Sequence, residues 1–276
     1  MGLILTIVMI YIATILAGDL FGADVFGRDI TWDAGIPGGI PLVSSVVSVT
    51  DFGAAGDGIN DDSAAFQAAI DAVSGEGAVE IPAGTYKLGN RLNLKDGVVL
   101  RGAGTDRTHL HIDHSMNAFE ILTYKRGTWI NLTDNVVSGS TVIPVADTSP
   151  FAPGLTIEIQ MDNDPAVMYT IPDWNQSWAY GAMGQIARVV STGTNSITIG
   201  TPLRLDYPLS LNPVIRTNGL IERVGFENLH VKRIDTSDTS VFFFKNAANC
   251  WLLNVMSEYC SKQHVTTNTA YRIEVR

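Results

Sequence analysis

The sequence predicts an all-β chain with one helix near its N-terminal end. Three observations lead there. From Ala78 to Ile112, short apolar runs alternate with turn residues and no helical period intervenes. One segment, Ser63 to Val73 (SAAFQAAIDAV), has helical spacing, with Phe66, Ile70 and Val73 on one face. Beyond Leu220, three apolar blocks begin about 22–27 residues apart: Glu222 to Val231, Asn249 to Met256 and Tyr271 to Val275. Short strands alone fit a solenoid, a sandwich or a barrel. The recurring blocks suit a solenoid, in which each coil buries its inward side chains on the next.

In chain order, Gly2 to Gly18 is uncharged and nearly all apolar. It is slightly short for a membrane span and fits the core of an export signal, so residues 1–18 are read as a signal peptide or an uncleaved anchor. Residues 19–42 hold no sustained period and read as a linker or arm. Residues 43–122 begin with a strand, Val43 to Val49. A turn-rich loop, Asp51 to Asp62, places Asp61 or Asp62 to cap the helix, and Ser74 to Gly77 ends it. Short strands follow at Ala78 to Ile81, Tyr86 to Leu88, Leu92 to Leu94, Val98 to Leu100 and Leu110 to Ile112.

Residues 123–211 read as a β-rich insert with strands at Thr141 to Ala146, Leu155 to Gln160, Gln185 to Val190 and Ser196 to Ile199. Residues 212–276 resume the rungs. The last strand stops at Arg276 with no cap in view, which predicts either further rungs and a cap beyond the chain or a short helix whose end a partner chain closes.

Three stretches carry a family resemblance: VTDFGAAGDGINDDSAAFQAAIDA from Val49, GAVEIPAGTYKL from Gly77 and LNLKDGVVLRGAG from Leu92 to Gly104. They resemble the N-terminal segment of the pectate-lyase-like superfamily, which includes rhamnogalacturonases, polygalacturonases and epimerase-like proteins. The resemblance implies a right-handed parallel β-helix with an N-terminal capping helix, and the insert resembles a subdomain of some members. It implies a polysaccharide partner and either a glycoside hydrolase or a polysaccharide lyase acting on an acidic or decorated polysaccharide. A non-catalytic, tailspike-like carbohydrate-binding or adhesion protein is the alternative. Fold resemblance alone does not choose between these.

Apolar residues make up 46% of the 276 and charged ones 17%, enough apolar material for a sizeable core. The formal charge of −10, with no Lys/Arg-rich stripe to neutralise phosphates, argues against a nucleic-acid partner. It also means that a polyanionic substrate needs a local cationic site or bridging calcium. A membrane would be met only through the N-terminal segment if it stays uncleaved. The location expected is secreted or cell envelope, and an oligomer is compatible with the sequence. The only two cysteines, Cys250 and Cys260, leave a disulfide and two buried thiols both open.

The candidate chemistry is diffuse. Asp51, Asp57, Asp61 and Asp62 miss the calcium-loop spacing and read as turn and cap residues. His109, His111 and Asp113 fall on one strand face, with His114 beside them; zinc is the sharper reading and a solvated face the plainer one, so no metal site is assigned. Tyr169, Trp174, Trp178 and Tyr180 offer aromatic faces for sugar stacking or for packing the insert. Trp251 reads as core. Glu258, Lys262, His264, Arg272 and Glu274 are candidate catalytic residues, since chemistry on a β-helix sits on an outward strip of consecutive rungs. A hydrolase needs two carboxylates. A lyase needs a base, with calcium as its expected cofactor. Neither set is assembled, and the polygalacturonase blocks Asn-Thr-Asp, Asp-Asp, His-Gly and Arg-Ile-Lys do not occur as a series.

Overall fold

The computed structural model describes residues 35–164, 179–235 and 237–276. The expected leader, Gly2 to Gly18, lies outside the described residues. Among those described, no helix is long and apolar enough to cross a membrane.

Strand β1 (Ser45–Ser48) runs into a 3-10 turn, Val49–Phe52, capped at both ends: Asp51 accepts from the Ser48 N–H, and Gly53 closes the turn with a φ of 90°. Strand β2 (Asp57–Asp61) leads to helix α1 (Ser63–Ala72), which buries Phe66, Ala69 and Ile70. Asp62 stands at the cap position but makes no cap bond. Its carboxylate instead holds the loop through the N–H groups of Ala55 and Gly56. Asp61 does the capping, accepting from both the N–H and the hydroxyl of Ser63.

The first full rung is β3 (Gly77–Ile81), β4 (Gly84–Leu88) and β5 (Leu92–Asn93). The second is β6 (Val98–Gly102), β7 (Thr108–Ile112) and β8 (Phe119–Leu122). The insert then contributes β9 (Ile130–Asn131), β10 (Val142–Pro144), β11 (Thr156–Met161), β12 (Met183–Thr192), β13 (Ser196–Ile199) and β14 (Val214–Thr217). These pair antiparallel in the order β10-β13-β12-β11-β14-β9 over their own core, which includes Ile143, Ile157, Ile159, Ile197 and Tyr207. The sheet continues past the expected boundary at Leu211, because β14 pairs with both β11 and β9.

The coil resumes with β15 (Ile221–Glu222), β16 (Gly225–Arg233) and β17 (Phe242–Lys245), followed by β18 (Ala247–Glu258), β19 (Val265–Asn268) and β20 (Tyr271–Val275). All rung-to-rung pairing is parallel. The result is the expected right-handed parallel β-helix with an N-terminal helix and a β-rich insert.

The coil has three faces. The first stacks β1, β3, β6, the first halves of β16 and β18, and β20. The second stacks β2, β4, β7 and the second halves of β16 and β18. The third stacks β5, β8, β17 and β19. Strands β16 and β18 bend from first to second face at Asn228 and Asn254, which take left-handed φ values of 54° and 51°, a region asparagine tolerates better than most residues. Their amides stack, Asn254 donating to Asn228 Oδ1 at 2.9 Å. Gly102 occupies this corner one rung earlier, where a Cβ would meet the Asn228 carbonyl at 2.3 Å.

Inside, like positions align from rung to rung. Val79, Leu100, Phe226 and Leu252 form a buried column on the first face. Phe119, Phe226 and Phe242 cluster with ring centroids 4.9–5.3 Å apart. Such pairs add about 0.5–1.5 kcal/mol beyond the area they bury. The outer side of the first face is also buried: Ala78, Val99 and Trp251 lie beneath Ile36, Ile40 and Val43 of the arm.

Candidate functional site

The second face is where the sequence leaves chemistry facing out. Along β7 the burial alternates, with Thr108, Leu110 and Ile112 inside and His109 and His111 outside. A strand's period of two imposes that alternation, and parallel stacking repeats it on each rung. Two outward columns result. One aligns Asp57, Thr85, His109, His230 and Met256; the other aligns Asp61, Lys87, His111, Lys232 and Glu258. Successive members belong to strands about 4.8 Å apart, so each five-rung column extends about 19 Å along the coil.

The columns meet at a tight cluster. His109 Nδ1 lies 3.0 Å from His230 Nδ1. His109 Nε2 lies 3.3 Å from the Asp106 carbonyl. On the far side, His230 Nε2 lies 3.0 Å from Glu258 Oε2, a charged-pair distance without hydrogen-bond alignment. The same Glu258 oxygen is 3.8 Å from Lys232 Nζ, and Lys232 also sits 5.0 Å from the centroid of the Tyr259 ring. Lys87 pairs with Asp113 at 2.8 Å. Burial, with the Lys232 ammonium second, holds His111 below the ordinary histidine value of 6.5. His111 is therefore a neutral proton acceptor at pH 7, set between two lysines on neighbouring rungs.

The candidate catalytic residues are scattered. Glu258 joins this cluster. His264 touches Ser257 at 2.8 Å in the connection beyond β18, where Lys262 is exposed. Arg272 and Glu274 lie on β20, on the first face, away from Glu258. Glu274 is buried, its Oε2 taking the Ile36 N–H at 2.9 Å, so it holds the arm and does not face an open strip. Arg272 lies 5.3 Å from the Tyr271 ring centroid. Of the aromatic candidates, Tyr169, Trp174 and Trp178 fall outside the described residues, and Tyr180 is exposed. Trp251 is core, donating to Glu227 at 2.9 Å.

His109 and His111 lie on one face as expected, whereas His114 turns inward: its Nδ1 accepts the Met116 N–H. Cys250 and Cys260 are free thiols, one buried in the core and the other half-buried. Among the described residues, no group of three or more His, Cys, Asp or Glu side chains is arranged to hold a metal ion. The sequence reading passed over His230 and Lys232. The signal was there: His230 and Lys232 in LHVK repeat the spacing of His109 and His111 in HLH.

Residues 46–168 match the sequence model of the family described as "Rhamnogalacturonase A/epimerase, pectate lyase-like". Over those residues the chain is similar to pectate-lyase-like proteins. Mannuronan C5-epimerase AlgE4 of Azotobacter vinelandii is 50% identical over 70 residues, covering 22% of this chain and 13% of the epimerase. Among solved structures, the Pseudomonas phage phi297 tailspike gp61 superposes with a TM-score of 0.57 at 17% identity, over 76% of this chain and 38% of the tailspike. The gp54 tailspike of Acinetobacter baumannii bacteriophage AP22, solved in complex with A. baumannii capsular saccharide, gives a TM-score of 0.51 at 14% identity, over 81% of this chain and 37% of that one. At those identities the two structures speak for the fold. The chain spans well under half the length of each of these relatives.

Proposed function

We propose that this β-helix acts outside the cell on an acidic polysaccharide by moving a proton at the carbon next to a uronate carboxylate. The second-face strip is its site. The observation that carries the reading is the alignment of Lys87, His111 and Lys232 across three adjacent rungs, beside the His109–His230–Glu258 cluster. In a chain of net charge −10, two lysines flanking a neutral imidazole are a local exception. Lys87 is already paired with Asp113, so Lys232, 3.8 Å from Glu258, is the ammonium that would meet the uronate carboxylate and acidify the adjacent C–H. The imidazole between the two lysines would take that proton. The local match to a mannuronan C5-epimerase supports a polyuronate, and the saccharide-bound AP22 tailspike shows the fold serving a carbohydrate in another protein.

Abstraction at C5 leads to β-elimination if the O4 substituent departs, or to epimerisation if a proton returns from the other side. Hydrolysis would require two carboxylates flanking a glycosidic oxygen. On this face Asp113 is committed to Lys87, and Glu258 to His230 and Lys232.

The test is incubation of the protein with a panel of polyuronates and neutral polysaccharides, with and without chelator. Elimination gives ultraviolet absorbance of unsaturated uronates, and epimerisation gives altered C5 configuration by proton NMR. Reducing ends without absorbance would replace the reading with hydrolysis. Tight binding without turnover would replace it with a carbohydrate-binding or adhesion protein. Loss of activity on chelation would add calcium as a requirement.

A further inference from the structure

We infer that Tyr259 is the sugar platform of the second-face site: its open side takes the C–H side of the pyranose next to the one whose carboxylate meets Lys232. The inference rests on the proposed uronate reading and deepens it with a second contact to the polysaccharide.

The backbone supplies the first reason. Along β18, Val255 packs on the core while Met256 and Glu258 stand in the outward columns. A strand that ran straight on would point Tyr259 inward. Instead Tyr259 takes a left-handed φ of 53° just past the end of β18, and the residue is 70% exposed. Both features are costly. Side chains with a Cβ seldom adopt that region, and a large aromatic ring in water forgoes its burial. Tyr259 joins none of the apolar clusters of the described residues, so core packing does not offset either cost. Strained residues of this kind collect at ligand sites.

The second reason is what stands beside the ring. Lys232 Nζ lies over it, 5.0 Å from the centroid, and 3.8 Å from Glu258 Oε2. Attraction to the electron-rich face of the ring helps to hold the ammonium there. Lys232 takes one side of the ring, and the exposure of Tyr259 leaves the other to solvent. Met256, in the outward column beside His230, and Ile234, just past the end of β16, are exposed too. The last-rung end of the strip is therefore apolar and cationic at once.

That pairing selects a ligand. A pyranose has an apolar C–H side and a polar rim, so it can lie on an aromatic face while its hydroxyls stay in water. A uronate adds a carboxylate at the rim, which an ammonium beside the ring attracts. A neutral sugar would use the plate alone, and an acidic peptide the ammonium alone. An acidic polysaccharide uses both. Lys232 and Tyr259 belong to strands of adjacent rungs, about 4.8 Å apart, so one sugar chain can touch both.

The test is titration of the full-length protein with oligomers of mannuronate, guluronate and galacturonate and with a neutral maltooligosaccharide, read by NMR of the sugar protons. Tyr259→Gly removes the plate and accepts the left-handed φ, so it should melt close to the unaltered protein. It should nevertheless weaken uronate binding about three- to tenfold, while Tyr259→Phe and Tyr259→Trp stay within about twofold. Sugar C–H signals should move upfield in the complex and lose that shift in Tyr259→Gly. Nuclear Overhauser contacts should join those protons to the Tyr259 ring. Tyr259→Asn, which also tolerates the backbone angle, repeats the test with no aromatic face.

Uronate binding that depends on Lys232 but is unchanged in a folded Tyr259→Gly protein would overturn the platform and leave the proposed site standing. Equal, Tyr259-dependent binding of the neutral oligomer would uphold the platform and overturn the acidic-substrate reading. Loss of binding in Tyr259→Phe would make the hydroxyl the contact and overturn the stack. Self-association abolished by Tyr259→Gly would give the ring to a second copy of the chain and overturn the platform. Binding of no oligomer at all would overturn both readings.

Discussion

The indole of Trp251 fills the space that a side chain on Gly225 would need. The two residues are register partners on adjacent rungs, and a Cβ on Gly225 would lie 2.3 Å from Trp251 Cε2. Because Trp251 is fully buried beneath the arm, it has nowhere to retreat.

Gly225→Ala should therefore destabilise the fold by about 1–3 kcal/mol, the ordinary cost of overpacking. Urea unfolding checks it. A double variant with Trp251→Leu should recover part of the loss, because the smaller side chain clears the clash.

Arg233 is a second structural lock. Its side chain is 1% exposed, and it donates to the carbonyls of His114, Met116 and Ser240 while pairing with Asp235 at 2.9 Å. Arg233→Ala strands those carbonyls and the carboxylate together. The expected loss is about 3 kcal/mol or more, measured by chemical denaturation.

His114 gives stability a pH dependence of known sign. Burial, followed by the nearby Arg233 charge, holds its imidazole below 6.5. The unfolded chain thus binds a proton at a higher pH than the folded one does. The contribution is complete above about pH 6.5 and is lost as pH falls through the lowered folded value. His114→Gln should remove that slope from a plot of melting temperature against pH.

Asp61 caps α1 and also reaches Gly89, whose N–H it accepts at 3.0 Å. Partial burial pushes its carboxyl up, but the Ser63 hydroxyl and the Gly89 and Ser63 N–H groups together bring it below 3.8. Its stabilisation is present above that value and disappears as pH falls through the lowered one. At neutral pH, Asp61→Ala should cost about 1 kcal/mol, the usual worth of a cap, with the helix losing amide protection first.

Much of the coil was legible in the sequence, because inward residues announce themselves by alternation. The runs around Val79, Leu100 and Leu110 all became rung strands. The corners were not legible. Glu222 to Val231 reads as one straight apolar block, yet the chain turns onto a new face at Asn228, a conformational choice that the apolar pattern does not encode. The site was hidden for the same reason. His109 and His230 are 121 residues apart, separated by the whole insert, and become neighbours only through rung stacking. Glu274 misled in the opposite way: its alternation with Ile273 points it outward, but the returning arm covers the outward side of that face.

The central claim is that the second face, and Lys232 within it, holds the uronate. The most direct measurement is the dissociation constant of a defined oligouronate for the unaltered protein, for Lys232→Ala and for Arg91→Ala, the last a cation on the third face paired with Glu120. A charged contact is worth about 1.5–3 kcal/mol, so Lys232→Ala should weaken binding roughly tenfold or more, and Arg91→Ala should leave it within about twofold. Equal losses in both variants, or no loss in either, would contradict the account.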